Sequence, residues 1–348
     1  MTPVPFGRRY IRIKKGIQLR IDARSLAVTA VLVSMTLALA VAGLMMGSLR
    51  LSVAEVWAAL NGEGTKMART IVVEWRLPRV LAAIVFGAGL AVSGAIFQSL
   101  TRNPLGSPDI IGFTSGSYTG ALVAMLIVGS TSFAGIAAGA LIGGLATAVL
   151  IYSLAFRKGT QGFRLIIVGV AISTILSSLN SMLLLRSKAE VALTAAAWGA
   201  GSLNGISWAQ SAGSLIVVAA LLLAAMAMIR PLQAMELGED AAKARGVRVE
   251  RSRLVLILLA VVLTAAPTAV MGPVSFIALA APQIALRLTK SLHSFAPAAA
   301  MGAFILLSAD LAAQRLVPGV LLPVGVVTLT IGGLYLVGIL FRQARSAL

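Results

Sequence analysis

Apolar residues in this chain come in blocks at near-regular intervals, at 26–48, 80–100, 110–129, 133–156, 164–185, 211–229, 254–272, 275–289, 298–314 and 323–341. About twenty residues rising 1.5 Å each cross a hydrocarbon layer of roughly 30 Å. The pattern therefore predicts an all-α, polytopic membrane protein with ten transmembrane helices. A basic arm over 1–25 precedes a ten-helix domain over 26–342, and a short tail, 343–348, follows. The first run, at about 22 residues, is too long for a cleavable signal sequence and reads as an uncleaved span.

The polar punctuation gives the spans a direction. Residues 1–25 hold Arg8, Arg9, Arg12, Lys14, Lys15, Arg20 and Arg24 against Asp22 alone, and such an arm stays in the cytoplasm near anionic lipid. Alternating from there puts both termini inside, with 21 of the 29 Lys and Arg on the inner side and 8 outside. This is the asymmetry that orients membrane proteins. Trp57, Trp75, Trp198 and Trp208 all fall on the predicted outer side, where indole rings favour the headgroup layer. Spans two to five start outside and spans seven to ten start inside, so a duplication relating them is inverted.

Within the spans, Gly87, Ala91 and Ala95 lie four apart with Gly94 beside them, and Gly139, Gly143, Gly332 and Gly333 have similar surroundings. Small residues let helix backbones approach closely where lipid removes the hydrophobic drive. Asp310 is predicted deep in the ninth span, where an ionisable group is costly and marks a functional hypothesis. Arg315 is its nearest expected charge partner, and a structural pair competes with a proton relay.

The most charged interior stretch is 230–253. Inside it, Gly238 to Gly246 reads as a short capped helix: Glu239 and Asp240 in the first turn, bases in the last, Glu239 four residues before Lys243, and Gly246 suited to a left-handed cap. Such a helix either docks against a partner or is a solvated connector.

Composition narrows the chemistry. At 59% hydrophobic and 11% charged, the chain has no room for a separate soluble domain. Its bases are scattered through short loops, unlike the clustered face that binds nucleic acid. With no cysteine and a lone His293, a Cys- or His-built metal site or a catalytic triad is not expected. No nucleophile, base and metal set is visible, and no phosphate-binding glycine loop of the Gly-x-x-x-x-Gly-Lys-Ser/Thr type occurs. The chain is read as a non-enzyme that binds no cofactor of its own, and ATP-driven transport needs a partner to supply the nucleotide site.

Six ordered blocks carry a family resemblance: Arg76-Leu-Pro-Arg79, Gly94-Ala-Ile-Phe-Gln98, Asn103-Pro-Leu-Gly-Ser-Pro-Asp109, Leu237-Gly238, Gly272-Pro-Val-Ser-Phe-Ile277 and Leu322-Pro-Val-Gly-Val326. Together they resemble the iron-chelate and cobalamin permeases of type II ABC importers. Glu74-Trp-Arg-Leu-Pro-Arg79, Ala200-Gly-Ser-Leu-Asn-Gly205 and Val249-Glu-Arg-Ser-Arg253 look most like the ferric-enterobactin permease subunits. The resemblance implies the ten-helix permease fold of that family. It also implies a second permease subunit, more readily a paralogue than a second copy, two cytoplasmic ATPases using ATP and Mg, and an extracytoplasmic siderophore-binding protein.

By position, the resemblance gives Arg76, Arg79 and Arg315 a role in docking the binding protein. Leu237, Gly238, Glu239, Asp240, Lys243, Arg245 and Gly246 match the coupling segment that meets the ATPase. Gln98, Asn103 and Leu105 match the gate and pathway, and the fifth and tenth spans match the pathway lining. One departure is local: relatives read Pro-His-x-x-Arg where this chain has Pro282-Gln283-Ile-Ala-Leu-Arg287, so no imidazole role carries over. The expected function is the permease subunit of an ATP-driven ferric-siderophore importer in a bacterial inner membrane. The competing class is an ion-coupled secondary transporter of a small organic solute.

Overall fold

The computed structural model describes residues 10–12, 20–47, 49–155, 162–290, 294–317 and 319–346. Much of the basic arm, with Arg8, Arg9, Lys14 and Lys15, lies outside the described residues, as do Arg157, Lys158 and His293. Where the arm is described it forms a short antiparallel hairpin, β1 (Tyr10–Arg12) and β2 (Arg20–Asp22), a small departure from the all-α expectation. Helix α1 (Ala23–Met45) follows directly because the Asp22 carboxylate accepts the Arg24 N–H at 3.0 Å and caps it. The first span thus starts three residues earlier than its apolar run.

Beyond α1 come α2 (Val53–Leu60) and α3 (Lys66–Arg69), then a wide π-helical stretch, Thr70–Arg76, that passes unbroken into α4 (Leu77–Thr101). After α4 come α5 (Phe113–Leu122), α6 (Phe133–Ala155), α7 (Gly162–Leu185), α8 (Ala189–Gly199) and α9 (Trp208–Ala227). The chain then forms α10 (Ile229–Glu236), α11 (Glu239–Ala244), α12 (Val249–Met271), α13 (Ile277–Thr289), α14 (Phe295–Ala313) and α15 (Val324–Ser346). Seven of these segments are long and apolar enough to cross a membrane. Three shorter apolar helices, Phe113–Ile127, Ile277–Thr289 and Val324–Tyr335, take the places of the third, eighth and tenth predicted spans. The expected tail at 343–348 begins as a continuation of α15 to Ser346.

Helix α4 is the axis of the bundle, 83% buried over its apolar window against 17% for the α7 span. Its small residues explain how. A Cβ on Gly94 would sit 1.7 Å from the Ala278 carbonyl oxygen of α13, and one on Gly87 would sit 2.4 Å from the Gly302 oxygen of α14. Backbones this close gain dispersion contacts that larger side chains forbid. Gly120 and Gly139 bring α5 and α6 together in the same way, and Gly143 meets Gly116. Gly332 lies against Phe276, but among the described residues a Cβ on Gly333 would meet nothing within 4 Å, so the packing role expected for Gly333 is not found there.

Polar bonds add register. Ser93 Oγ reaches the Ala260 carbonyl at 2.7 Å and Thr264 Oγ1 at 2.8 Å, pinning α4 to α12.

The tryptophans divide. Trp57 and Trp75 are exposed, 68% and 64%, as interfacial anchors require. Trp208 instead donates Nε1–H to the Val73 carbonyl at 2.8 Å, and Trp198 stacks on Tyr118 with ring centroids 6.1 Å apart. Those two rings turn inward because each finds a specific partner in a neighbouring segment.

Candidate functional site

Charged chemistry gathers at the two ends of α4. From Arg79 to Ser99 the helix spans about 30 Å at 1.5 Å per residue, close to a hydrocarbon thickness.

At the N-terminal end, Arg79 donates Nε–H and Nη2–H to the two carboxylate oxygens of Asp310, each at 2.8 Å. Gln314 Nε2 donates to Asp310 Oδ2 at 2.9 Å. The expected pairing of Asp310 with Arg315 is therefore corrected: Asp310 lies on α14 one turn before Gln314 and faces α4, whereas Arg315 is exposed just past the helix end. Arg76 donates to the Leu44 carbonyl at 2.7 Å and the Leu49 carbonyl at 2.6 Å, tying the end of α1 to α4. An open cleft of about 500 Å³ sits here, with Trp75, Arg76, Arg79, Gln314 and Leu321 in its wall.

At the C-terminal end, α10 and α11 fold against α4 and α12. Ser99 donates to Glu236 Oε1 at 2.6 Å, and Arg102 donates to the Met235 carbonyl at 3.2 Å. The short capped helix expected between Gly238 and Gly246 is present as α11, with Gly238 at φ 118° and Gly246 at φ 78° bracketing it. Its pairing differs from expectation. Glu239 bonds Arg253 of α12, and Lys243 approaches Asp240 at 3.8 Å, three residues away. The hydrogen bond from Arg253 holds the Glu239 carboxyl below the ordinary carboxylate range. Arg253 reaches Glu250 as well, at 3.3 Å. Leu237, Asp240, Lys243, Arg245 and Gly246 face outward while Ala242 is buried, so α11 is fixed along one side and exposed along the other. A cleft of about 330 Å³ lies between α4, α10 and α12, walled by Ser99, Arg102, Leu232, Glu236 and Arg253 among others.

The loop from Arg102 to Gly112 joins α4 to α5. Asn103 Oδ1 accepts the Leu105 N–H at 2.9 Å, a local turn that leaves Leu105 47% exposed. Gln98 is buried one turn inside α4: its Nε2 donates to the Leu279 carbonyl at 3.0 Å, and its oxygen accepts from Gln283 Nε2 at 2.7 Å. Gln283 thus serves as a donor between α13 and α4. Of the three residues expected at the gate, Asn103 and Leu105 share the loop, and Gln98 lies in the α4–α13 contact.

Sequence reasoning quoted Asp109 and Gln283 within its motifs without giving either a role, and did not single out Ser99. The carboxylate of Asp109 accepts from Thr114 Oγ1 at 2.8 Å, while its Oδ2 is sealed from solvent without a hydrogen-bond partner. Burial pushes this carboxyl up to about 6, opposed by the Thr114 hydroxyl and by the Phe276 amide, which lies near without closing a well-formed bond. An acid next to a Pro-rich turn and an apolar run was the available signal. The pairing of Ser99 with Glu236, 137 residues apart, has no local trace.

A bundle of apolar helices long enough to cross a membrane, with its ion pairs gathered at the two ends of α4, defines a multi-span membrane protein. The chain belongs to the FecCD transport family, which matches residues 35–342. It is 47% identical over 327 residues to the ferric enterobactin transport system permease protein FepG of Escherichia coli (strain K12), covering 94% of this chain and 99% of that one. It is 36% identical to the achromobactin transport system permease protein CbrC of Dickeya dadantii (strain 3937), covering 89% of each. A solved metal-chelate type ABC transporter in an inward-facing conformation superposes with a TM-score of 0.80 at 28% identity, covering 91% of this chain and 99% of that one.

Proposed function

We propose that this chain is the permease subunit of an ATP-driven importer carrying ferric siderophores of the enterobactin kind across a bacterial inner membrane. The observation that carries the reading is the likeness to the ferric enterobactin permease over 94% of this chain and 99% of that one. A likeness of that extent reaches the walls, both ends and the loops together.

In this reading both termini are cytoplasmic, so the α10–α11 end faces inward and the arginine end outward. The exposed side of α11, with Leu237, Gly238, Glu239, Asp240, Lys243, Arg245 and Gly246, seats on a cytoplasmic ATPase that uses ATP and Mg. Ser99–Glu236 and Arg102–Met235 then pass its displacement into α4. An extracytoplasmic binding protein docks by carboxylates onto the arginine end. Arg315, exposed, is the first point of contact. Arg76 and Arg79 have donors already committed to Leu44, Leu49 and Asp310, so they offer only their remaining N–H groups. A second permease subunit, a paralogue, covers the apolar faces that this chain leaves open, and Asn103 and Leu105 border the inner gate.

The ion-coupled alternative relies on Asp310 as a proton carrier. Both carboxylate oxygens of Asp310 are already occupied, by Arg79 and Gln314, which commits the group to a structural pair between α4 and α14. The test is uptake of ferric enterobactin into vesicles holding this chain, its paralogue and the neighbouring ATPase. Accumulation that requires ATP supports the reading. Accumulation by this chain without any nucleotide, driven by an ion gradient, overturns it.

A further inference from the structure

Helix α11 is six residues long, too short to hold itself in place. It is bracketed by Gly238 at φ 118° and Gly246 at φ 78°, and among the described residues a Cβ on either would meet nothing within 4 Å. Glycine at positive φ in open space leaves the backbone on both sides of α11 easy to turn. Side chains must therefore set its orientation. Ala242 is buried, and Glu239 in the first turn reaches Arg253 of α12.

Arg253 is built to decide that orientation. Its side chain is 9% exposed, whereas those of Glu239 and Glu250 are 43% and 60% exposed, so the cation is the fixed partner and the carboxylates come to it from the surface. One guanidinium serves both. Nη2–H donates to Glu239, and Nη1–H donates at 3.3 Å to Glu250, one turn back on α12. A planar fork held from two directions has a defined plane, which gives the bond to Glu239 a defined direction. Between Arg253 and Ala260, α12 rises about 10 Å, and there Ser93 of α4 bonds the Ala260 carbonyl and meets Thr264. This route from α11 to the middle of α4 is separate from the one that joins α10 to the end of α4 through Glu236 and Ser99.

We propose that Arg253 is a positioning residue: its bond to Glu239 sets the angle at which α11 is presented and carries the displacement of α11 into α12. This rests on the import reading for the partner that moves α11, the ATPase. With both routes intact, the end and the middle of α4 are driven together. Without Arg253, α11 turns on its two glycines and only the end of α4 follows.

Because both carboxylates keep solvent, Arg253→Met removes the buried cation without stranding a buried charge, and the fold should survive it. The chain has no cysteine, so two introduced ones can be spin-labelled uniquely. Ala244 on α11 is exposed and Leu258 on α12 is 53% exposed, which suits Ala244→Cys and Leu258→Cys labels. A control pair uses Leu258→Cys with Leu223→Cys on α9, a helix tied to α12 independently of α11 by Ser214 on the Ala266 carbonyl at 3.0 Å.

In the full chain in lipid nanodiscs, the α11–α12 pair should give one narrow distance distribution. Arg253→Met should raise the share of displaced α11 by about tenfold, the factor for one lost charge-assisted hydrogen bond, and leave the control pair unchanged. Arg253→Lys, which keeps the cation, should recover most of the narrow population. Should Arg253→Met not fold, Glu239→Ala, which leaves Arg253 its bond to Glu250, carries the same comparison. In vesicles with the paralogue and the ATPase, Arg253→Met should still hold the ATPase but carry about fivefold less ferric enterobactin per ATP hydrolysed.

The proposal is overturned if the Met variant matches the wild type in either measurement, if Lys does not rescue it, or if the control pair loosens equally. The label measurement contains no ATPase or solute, so its failure leaves the import reading standing. Nucleotide-independent uptake by the wild type would overturn that reading and leave the Arg253 distances as measured.

Discussion

Arg79 and Asp310, 231 residues apart in sequence, face each other across the α4–α14 contact with two parallel hydrogen bonds of 2.8 Å. The side chain of Asp310 is 2% exposed and that of Arg79 15%, so the pair is largely removed from solvent. Planar guanidinium against planar carboxylate fixes both angle and distance, and it sits where Gly87 and Gly302 have already drawn the two backbones together. The pair sets the register of the two helices at the arginine end.

Breaking one half of such a pair leaves a buried charge. Asp310→Ala should destabilise the detergent-solubilised chain, toward the lower end of the ~3–5 kcal/mol typical of a broken buried pair, because Arg79 retains some solvent. Arg79→Met with Asp310→Leu should recover most of that loss. Thermal unfolding of the three chains decides it: equal melting of the single and double variants would show that the pair is not the source of the stability.

Glycine substitutions should separate contact from space. Gly94→Ala forces a methyl into the Ala278 carbonyl and should cost about 1–3 kcal/mol or more, since overpacking displaces backbone here. Gly332→Ala should behave similarly against Phe276. Gly333→Ala, with nothing within 4 Å among the described residues, should be neutral or slightly stabilising in the isolated subunit, as Ala is the better helix former. Folded yield and melting temperature of the three variants provide the comparison, and a Gly333→Ala chain as unstable as Gly94→Ala contradicts it.

Protonation of Asp109 should register in stability. Its folded-state carboxyl is raised from 3.8 to about 6, so the folded chain favours the neutral acid. That contribution is complete below the unfolded value and is lost as pH rises through about 6. The melting temperature of the wild type relative to Asp109→Asn should therefore fall between pH 5 and roughly pH 7.5, a window that brackets this carboxyl. A difference between the two chains that stays constant over that window would remove Asp109 as the titrating group.

Charge at the arginine end should govern encounter. Arg315→Glu should slow association of the proposed binding protein most at low ionic strength, with a smaller effect near 0.15 M salt, where the screening length is about 8 Å. Arg79→Glu should in addition lower stability, because it places a second carboxylate beside Asp310. Association rates measured over a salt series test both. A salt-independent loss for Arg315→Glu would point to a contact other than charge steering.

Length, spacing and polarity fixed the number of spans, since a hydrocarbon layer accepts little besides apolar helices of a set length. They also marked α11 between two glycines that both take positive φ, because helix caps are local and leave their residues in order along the chain. Partner choice was another matter. Asp310 was expected to pair with Arg315 and Glu239 with Lys243, their neighbours in sequence, but Asp310 pairs with Arg79 and Glu239 with Arg253. Which helix lies beside which is decided by where small residues let backbones meet, and no local pattern encodes that. Ser99 with Glu236 and Gln98 with Gln283 became visible only once α4, α10 and α13 were packed, because long-range pairing is a property of the assembled bundle.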